Sequence, residues 1–280
     1  MIQLAQTSQT GQLKEIWRQC FGDPEPYIDL FFTHRYRQGQ ALVEEREGEA
    51  VAMLFLLPIA LHTAAGPLRG CYIYGVATRP DCRGQGISTR LLAQANELLA
   101  REGYDASLLV PASESLFAFY RRQGYETGFW VNHSTVSRRE VENFSPSLLK
   151  LTPSSLTEQE ELRNQTFSAS GLFGRWDREA LRYADREAAF LGGQVFAFPG
   201  GYVLCYPSGE DLYIKELIPG ENPVQAVLAA LHSRCFKERY HLRLWQREPV
   251  GESAPFAMIR WLKEPPVLTG AAPYLSLVLD

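Results

Sequence analysis

The segment Val76 to Arg90, VATRPDCRGQGISTR, joins a strand to a helix through a glycine loop, and that junction points to a fold in which sheet and helix alternate. Upstream, Cys71 to Thr78 is a run of apolar and β-favouring residues that ends in the turn-prone Arg79-Pro80-Asp81. Downstream, Ile87, Leu91, Leu92, Ala95, Leu98 and Leu99 recur at helical spacing, and Gly103 stands where a C-terminal cap belongs. The first amides of a helix have no partner inside it and carry partial positive charge, so they stabilise an anion. Gly84 and Gly86 lack Cβ atoms, which lets phosphate oxygens approach the main chain and permits unusual dihedrals. Arg83 adds a permanent cationic fork. The segment reads as a socket for a pyrophosphate.

Two familiar phosphate loops are excluded. No Lys-Ser or Lys-Thr pair follows the glycines, so the P-loop grip on a γ-phosphate and magnesium is missing. The dinucleotide pattern lacks its third glycine, and no βαβ repeat precedes it. The segment does resemble the phosphate-binding motif of the GCN5-related N-acetyltransferase (GNAT) superfamily, Gln/Arg-x-x-Gly-x-Gly/Ala. It reads here Arg83-Gly84-Gln85-Gly86-Ile87-Ser88, with Ser88 in place of the last Gly or Ala. The resemblance implies that acetyl-CoA is bound, its pyrophosphate on Arg83 to Ser88. It also implies that the backbone of Val76, Ala77 and Thr78 pairs with the pantetheine arm.

A second piece follows in the order the superfamily uses. Ala106 to Val110 is a short apolar strand, and Pro111-Ala112-Ser113 leaves it. Ser113 is placed to cap a new helix, Glu114 suits its positive end, and Gly124 closes it. SESLFAFYRRQGYE is similar to the superfamily's later motif, which implies that Tyr120 protonates the departing thiolate and that Ser113 lies at the cofactor. The chemistry agrees, because a phenol with a pKa of about 10 stays protonated and can donate as the C–S bond breaks. The alternative for Tyr120 is packing, since Leu116, Phe117 and Phe119 around it are also core-forming types.

The chain has 280 residues, which makes two domains the prior expectation. Its 28 basic and 32 acidic residues give a net charge of −4, and neither half has a basic excess. General attraction to nucleic acid or an anionic membrane is not expected. The longest apolar run, Ala50 to Ala60, contains Pro58 and is too short to cross a bilayer; residues 1–20 carry no signal-peptide pattern. Cys20, Cys71, Cys82, Cys205 and Cys235 are widely spaced without a CxxC, so no disulfide framework is implied and a reducing, cytoplasmic location is expected. The histidines form no metal-binding pattern, and no G-x-S-x-G elbow is present.

The first half reads as helices over Gln12 to Phe21 and Pro26 to Arg35 and strands over Ala41 to Val43 and Ala50 to His62. Then come the loop-helix, the second strand-helix and closing strands over Thr127 to Arg138. After a linker at Leu149 to Ser155, the second half predicts helices over Leu156 to Ser168 and Arg178 to Phe190 and strands over Gln194 to Phe198, Tyr202 to Tyr206 and Tyr213 to Leu217. A helix over Val224 to Glu238 and strands over Leu242 to Trp245, Ala257 to Leu262 and Tyr274 to Leu279 complete it. The order of the first half is repeated. Where the socket should recur stands Ile218-Pro219-Gly220-Glu221-Asn222-Pro223, with one glycine, an acid and a proline that removes an amide.

The fold class expected is therefore α/β with an α+β mixed sheet: tandem GNAT-like folds, the second degenerate. The domains would be 1–145, binding acetyl-CoA, and 150–280. The layout resembles the enhanced-intracellular-survival acetyltransferases, here without their sterol-carrier domain. The resemblance implies N-acetyl transfer from acetyl-CoA to a primary amine, small molecule or peptide, by direct attack. For the base, Glu45, Glu114, Asp280 and water stay open. Trp17, Phe21, Tyr27, Phe31 and Phe32 are candidates for an acceptor pocket or for core. The alternatives are a silent acetyl-CoA-binding module and a tandem-fold aminoacyltransferase. The acceptor and the oligomeric state are not specified by the sequence.

Overall fold

A computed structural model describes residues 1–145 and 148–279. These fall into two compact units: 1–128 with 257–267 and 279, and 129–256 with 268–278.

The first unit runs β1 (Ile2–Leu4), α1 (Thr10–Phe21), α2 (Glu25–His34), β2 (Ala41–Arg46), β3 (Glu49–Thr63), β4 (Gly66–Thr78), α3 (Ile87–Arg101), β5 (Ala106–Leu109) and α4 (Glu114–Arg121). Its sheet is ordered β1-β2-β3-β4-β5, with Ala257–Trp261 antiparallel to β5 on the far side. Strands β4 and β5 are parallel, as a crossover through a helix requires. Ile87, Leu91, Leu92, Ala95 and Leu99 form the buried stripe of α3 and pack with Leu54, Leu56 and Ile73 from β3 and β4. Each leucine or isoleucine among them contributes about 1.5–3 kcal/mol by leaving water.

Two irregularities shape the end of β4 that leads into the glycine loop. Met53 faces Ala77 while Phe55 faces Tyr74, so β4 carries one extra residue at Gly75–Val76. Gly75 takes a φ of 60°, and a Cβ there would lie 3.0 Å from the Phe55 ring, so the bulge requires glycine. In addition, β4 pairs with β5 only from Gly70 to Tyr72. From Ile73 to Thr78 it pairs with β3 alone, and the edge facing β5 opens.

The second unit holds the end of β6 (Glu126–Ser137), then α5 (Arg138–Glu142), β7 (Thr152–Pro153), α6 (Leu156–Phe167), β8 (Phe173–Arg175), α7 (Arg178–Phe190), β9 (Gln194–Phe198), β10 (Gly201–Ser208), β11 (Asp211–Ile218), α8 (Val224–His232), β12 (Arg239–Trp245) and the start of β13 (Glu252–Trp261). Its sheet is ordered β7-β9-β10-β11-β12-β6, with β11 and β12 parallel across α8. The sequence α1-α2-β2-β3-β4-α3-β5 is matched by α6-α7-β9-β10-β11-α8-β12. The fold is thus a mixed α/β sheet built from tandem copies.

Several sequence expectations are corrected. The strand expected to close the first sheet, Thr127 to Arg138, pairs instead with β12 from Val131 to Ser137. The first sheet is closed by Ala257–Trp261, so the compact units do not follow cuts near residues 145 and 150. The linker Leu149 to Ser155 contains β7, which pairs with β9. Tyr274 to Leu279 is irregular rather than a strand, although all of its side chains are buried. The helix expected to reach Glu238 ends at His232. Beyond it, the Arg234 guanidinium lies over the Phe196 ring and donates to the Leu151 carbonyl.

Candidate functional site

The socket segment opens with a tight turn over Pro80–Cys82, fixed by Arg79 pairing with Asp81 at 3.0 Å. Gly84 (φ 76°) and Gly86 (φ 68°) both adopt the left-handed conformation that disfavours a side chain, and α3 starts directly at Ile87. Among the described residues, the amides of Gly84, Gln85, Gly86, Ile87, Ser88 and Thr89 donate to no protein acceptor. Arg83, Gly84, Gln85 and Gly86 are exposed. A run of unpaired donors on an exposed loop at the positive end of a helix is what an anion requires.

Other members of the expected set also make contacts within the protein. The Arg83 amide is occupied by the Pro80 carbonyl at 3.4 Å, so the run of unpaired amides begins one residue later than expected. The Arg83 Nε donates to the Thr78 carbonyl at 3.2 Å, folding its side chain back across the end of β4. Thr78 therefore has its carbonyl engaged, and Cys20 Sγ also donates to it at 3.3 Å. Ile87 is buried in the core, and Ser88 Oγ lies 3.0 Å from Thr78 Oγ1, tying the first turn of α3 to β4. Val76 and Ala77 sit on the stretch of β4 that opens away from β5.

Tyr120 is on α4, 7% exposed, with its ring edge-on to Phe119 and Tyr125. Its hydroxyl makes no hydrogen bond among the described residues. Burial, with Tyr125 adding to it, pushes the Tyr120 phenol up to about 12. Tyr125 is also raised to about 12 by burial, against the lowering effect of Ser107 and Asn96, whose polar atoms lie 2.9 and 3.2 Å from its hydroxyl. A group whose folded pKa exceeds its unfolded value stabilises the fold fully below the unfolded pKa and ceases to as pH rises through the folded one. Melting temperature should therefore not respond to these phenols up to pH about 10, and should fall as pH approaches about 12. Tyr125→Phe should blunt that alkaline fall in a calorimetric pH series; an identical slope would remove the assignment.

Ser113 occupies the N-cap position of α4, but its hydroxyl pairs with Ser115 at 3.0 Å and makes no capping bond, contrary to expectation. Of the candidate bases, Glu114 is exposed on the first turn of α4. Glu45 is held by Gln3 and Gln9 at 2.9 and 3.0 Å on the β1–β2 side. Asp280 lies outside the described residues. Trp17 and Phe31 are core: their rings pack with Phe55 and Tyr74, and Trp17 Nε1 donates to Asp23. Phe21 is 47% exposed, while Tyr27 and Phe32 are partly exposed.

Sequence reasoning missed the residues that brace the loop. Glu44, on β2, pairs with Arg90 at 2.8 Å and Arg46 at 3.1 Å, and both arginines reach Gln85. One signal was available: Arg90 places a cation in the first turn of a helix, where the dipole disfavours it unless an anion compensates. In the second unit, the junction after β11 offers no comparable socket. Gly220 packs so closely that a Cβ would lie 2.4 Å from the Gly200 carbonyl oxygen. The Asn222 amide is already bound to Pro219.

Residues 1–128 match the family of the acetyltransferase (GNAT) domain. No curated protein matches the sequence. Among solved structures, a GCN5-related N-acetyltransferase from Anabaena variabilis superposes with a TM-score of 0.73 at 18% identity, covering 94% of this chain and 73% of that one. A GCN5-related N-acetyltransferase from Kribbella flavida gives 0.71 at 18%, covering 93% and 70%. Eis1 from Mycobacterium abscessus gives 0.69 at 14%, covering 94% and 74%. At these identities the likeness is one of fold, and it runs through both halves of the chain. Residues 1–128 thus match a GNAT acetyltransferase domain, and the chain as a whole shares the fold of these solved N-acetyltransferase structures.

Proposed function

We propose that the protein moves the acetyl group of acetyl-CoA to a primary amine by direct attack, with Tyr120 as the general acid. The observation that carries the reading is the run of unpaired amides from Gly84 to Thr89, which includes two left-handed glycines and follows the opened edge of β4. Acetyl-CoA supplies the acyl group as an activated thioester. The loop amides and the Arg83 guanidinium neutralise its diphosphate, and the β4 backbone at Val76 and Ala77 lies alongside the pantetheine. Thr78 ends that stretch of β4, and the side-chain hydroxyls of Thr78 and Ser113 are each engaged with a serine. The incoming amine nitrogen bonds to the thioester carbon, the C–S bond breaks, and sulfur takes the Tyr120 proton. The amine proton leaves to Glu114, water or the unassigned Asp280; Glu45 is less suited, because it is engaged by two amide side chains. Tyr120 suits its role because burial keeps it neutral throughout the working pH range.

The second unit is a structural partner that has lost the anion socket. The acceptor class is amine-bearing small molecules or peptides, with neither nucleic acid nor membrane as partner, in a cytoplasmic setting. Among the described residues, no helix is long and apolar enough to cross a membrane.

Coenzyme A release should be measured with a thiol reagent over a panel of amines, for wild type and Tyr120→Phe. The substitution should lower kcat at least about a hundredfold and leave the Kd for coenzyme A unchanged. Stability should hardly change, because no bonded partner is orphaned. An unchanged kcat would remove Tyr120 from the mechanism. Binding of acetyl-CoA without turnover on any amine would favour a silent module, and failure to bind it would favour the aminoacyltransferase reading.

A further inference from the structure

We propose that Glu44 is a positioning residue for the anion socket: through Arg90 and Arg46 it grips Gln85 by both its main chain and its side chain, and so sets the direction of the next amide. The proposal rests on reading Arg83 to Ser88 as a diphosphate site. Glu44 is 6% exposed, a burial that a carboxylate tolerates only when paired. Arg90 Nη2 donates to its two oxygens at 2.8 and 3.1 Å, and Arg46 donates from Nη2 and Nε at 3.1 and 3.3 Å. Each arginine has a second end. Arg90 Nη1 donates to the Gln85 carbonyl at 2.8 Å, and Arg46 Nη1 donates to the Gln85 side-chain oxygen at 2.6 Å.

The consequence is one of peptide geometry. In a planar trans peptide the C=O of Gln85 and the N–H of Gly86 point in opposite directions, so tethering the carbonyl to Arg90 turns the Gly86 N–H away from it. This restraint matters because Gln85 lies between Gly84 and Gly86, the residues with the widest conformational range and the largest ordering cost. A loop left to itself would lose that entropy when ligand binds; the clamp imposes the order beforehand. A carboxylate near an anion site would otherwise oppose binding. Burial alone would raise the Glu44 pKa, but the hydrogen bonds and charges of Arg90 and Arg46 outweigh it and hold the carboxyl below its usual range. Its charge is thereby spent on the arginines and not presented to the ligand.

The test is calorimetric titration of coenzyme A into wild type, Glu44→Gln, Arg90→Lys and the double variant, with acetyl-CoA kinetics and ligand-free melting alongside. Lysine keeps the charge but cannot bridge Glu44 and Gln85 together. Each single variant should raise Kd, and KM for acetyl-CoA, about tenfold. Saturated kcat should stay within about twofold, and the double variant should be little worse than either single one, because both substitutions break one chain of contacts. Should Glu44→Gln fail to fold, Arg90→Lys decides alone, since Arg90 is half exposed. Wild-type affinity in Arg90→Lys, or losses in the two variants that simply add, would overturn the proposal. Should wild type itself not bind coenzyme A, the diphosphate reading fails instead, and that outcome is told apart by the wild-type titration.

Discussion

Gly86→Glu is expected to abolish the thermal stabilisation that coenzyme A gives the protein. Three effects act together at this position. Gly86 has a φ of 68°, a conformation in which a side chain costs roughly 1–2 kcal/mol. The new carboxylate would stand at the positive end of α3 and take the place intended for the ligand's charge. It would also engage the Arg90 guanidinium, whose Nη1 would be 3.6 Å from a Cβ at this position, and so pull the loop brace apart. At a ligand concentration of a hundred Kd, wild type should gain about 2.7 kcal/mol from binding. The variant should show no shift in a melting titration with coenzyme A. Gly86→Ala separates the causes, since it carries the backbone strain without the charge and should keep a reduced shift. A full wild-type shift in Gly86→Glu would remove the socket from the site.

Arg163→Leu is expected to cost about 3–5 kcal/mol of stability, the penalty for leaving a buried charge alone. Arg163 of α6 and Glu216 of β11 are 2% and 0% exposed and form an ion pair inside the second unit. Glu216 also accepts from the Tyr202 and Tyr274 hydroxyls, so its oxygens are fully committed. Without the guanidinium, Glu216 would have to take up a proton or draw in water. Against a typical total of about 5–15 kcal/mol, this is a large fraction, and urea denaturation at neutral pH should show an early transition. Adding Glu216→Gln should recover most of the loss, because the amide carries no charge and can accept from one tyrosine hydroxyl while its NH2 donates to the other. A loss under about 1 kcal/mol in Arg163→Leu would mean that the pair is hydrated rather than dry. Both residues belong to the second unit and neither is among those assigned to acetyl transfer, so the variant measures the integrity of that unit.

Local signals were readable in advance. The two glycines, the helical spacing of Ile87 to Leu99 and the aromatic pair at Phe119-Tyr120 each express the preferences of a few adjacent residues, and each element stands where it was expected. The repeated order of helices and strands was readable for the same reason. Thr78 and Ser113 were assigned to the cofactor by motif position, but their polar atoms also make bonds that a motif does not encode. The aromatic residues of α1 and α2 show the limit of composition. Trp17 and Phe31 are core and Phe21 is not, and only packing against Phe55 and Tyr74 separates them.

By itself the sequence determined that a strand, a glycine loop and a helix come in that order, and that the pattern recurs once without its socket. Those properties follow from dihedral preference and side-chain periodicity, which act over a few residues. The tertiary structure decided which strand closes which sheet: Ala257–Trp261 pairs with β5 across roughly half the chain, while most of β6 joins β12. It also opened β4 from β5 beyond Tyr72 and brought Glu44 to the arginines that hold Gln85. Strand pairing and ion-pair networks join residues whose separation along the chain carries no local signature, so they are chosen only when the whole core assembles.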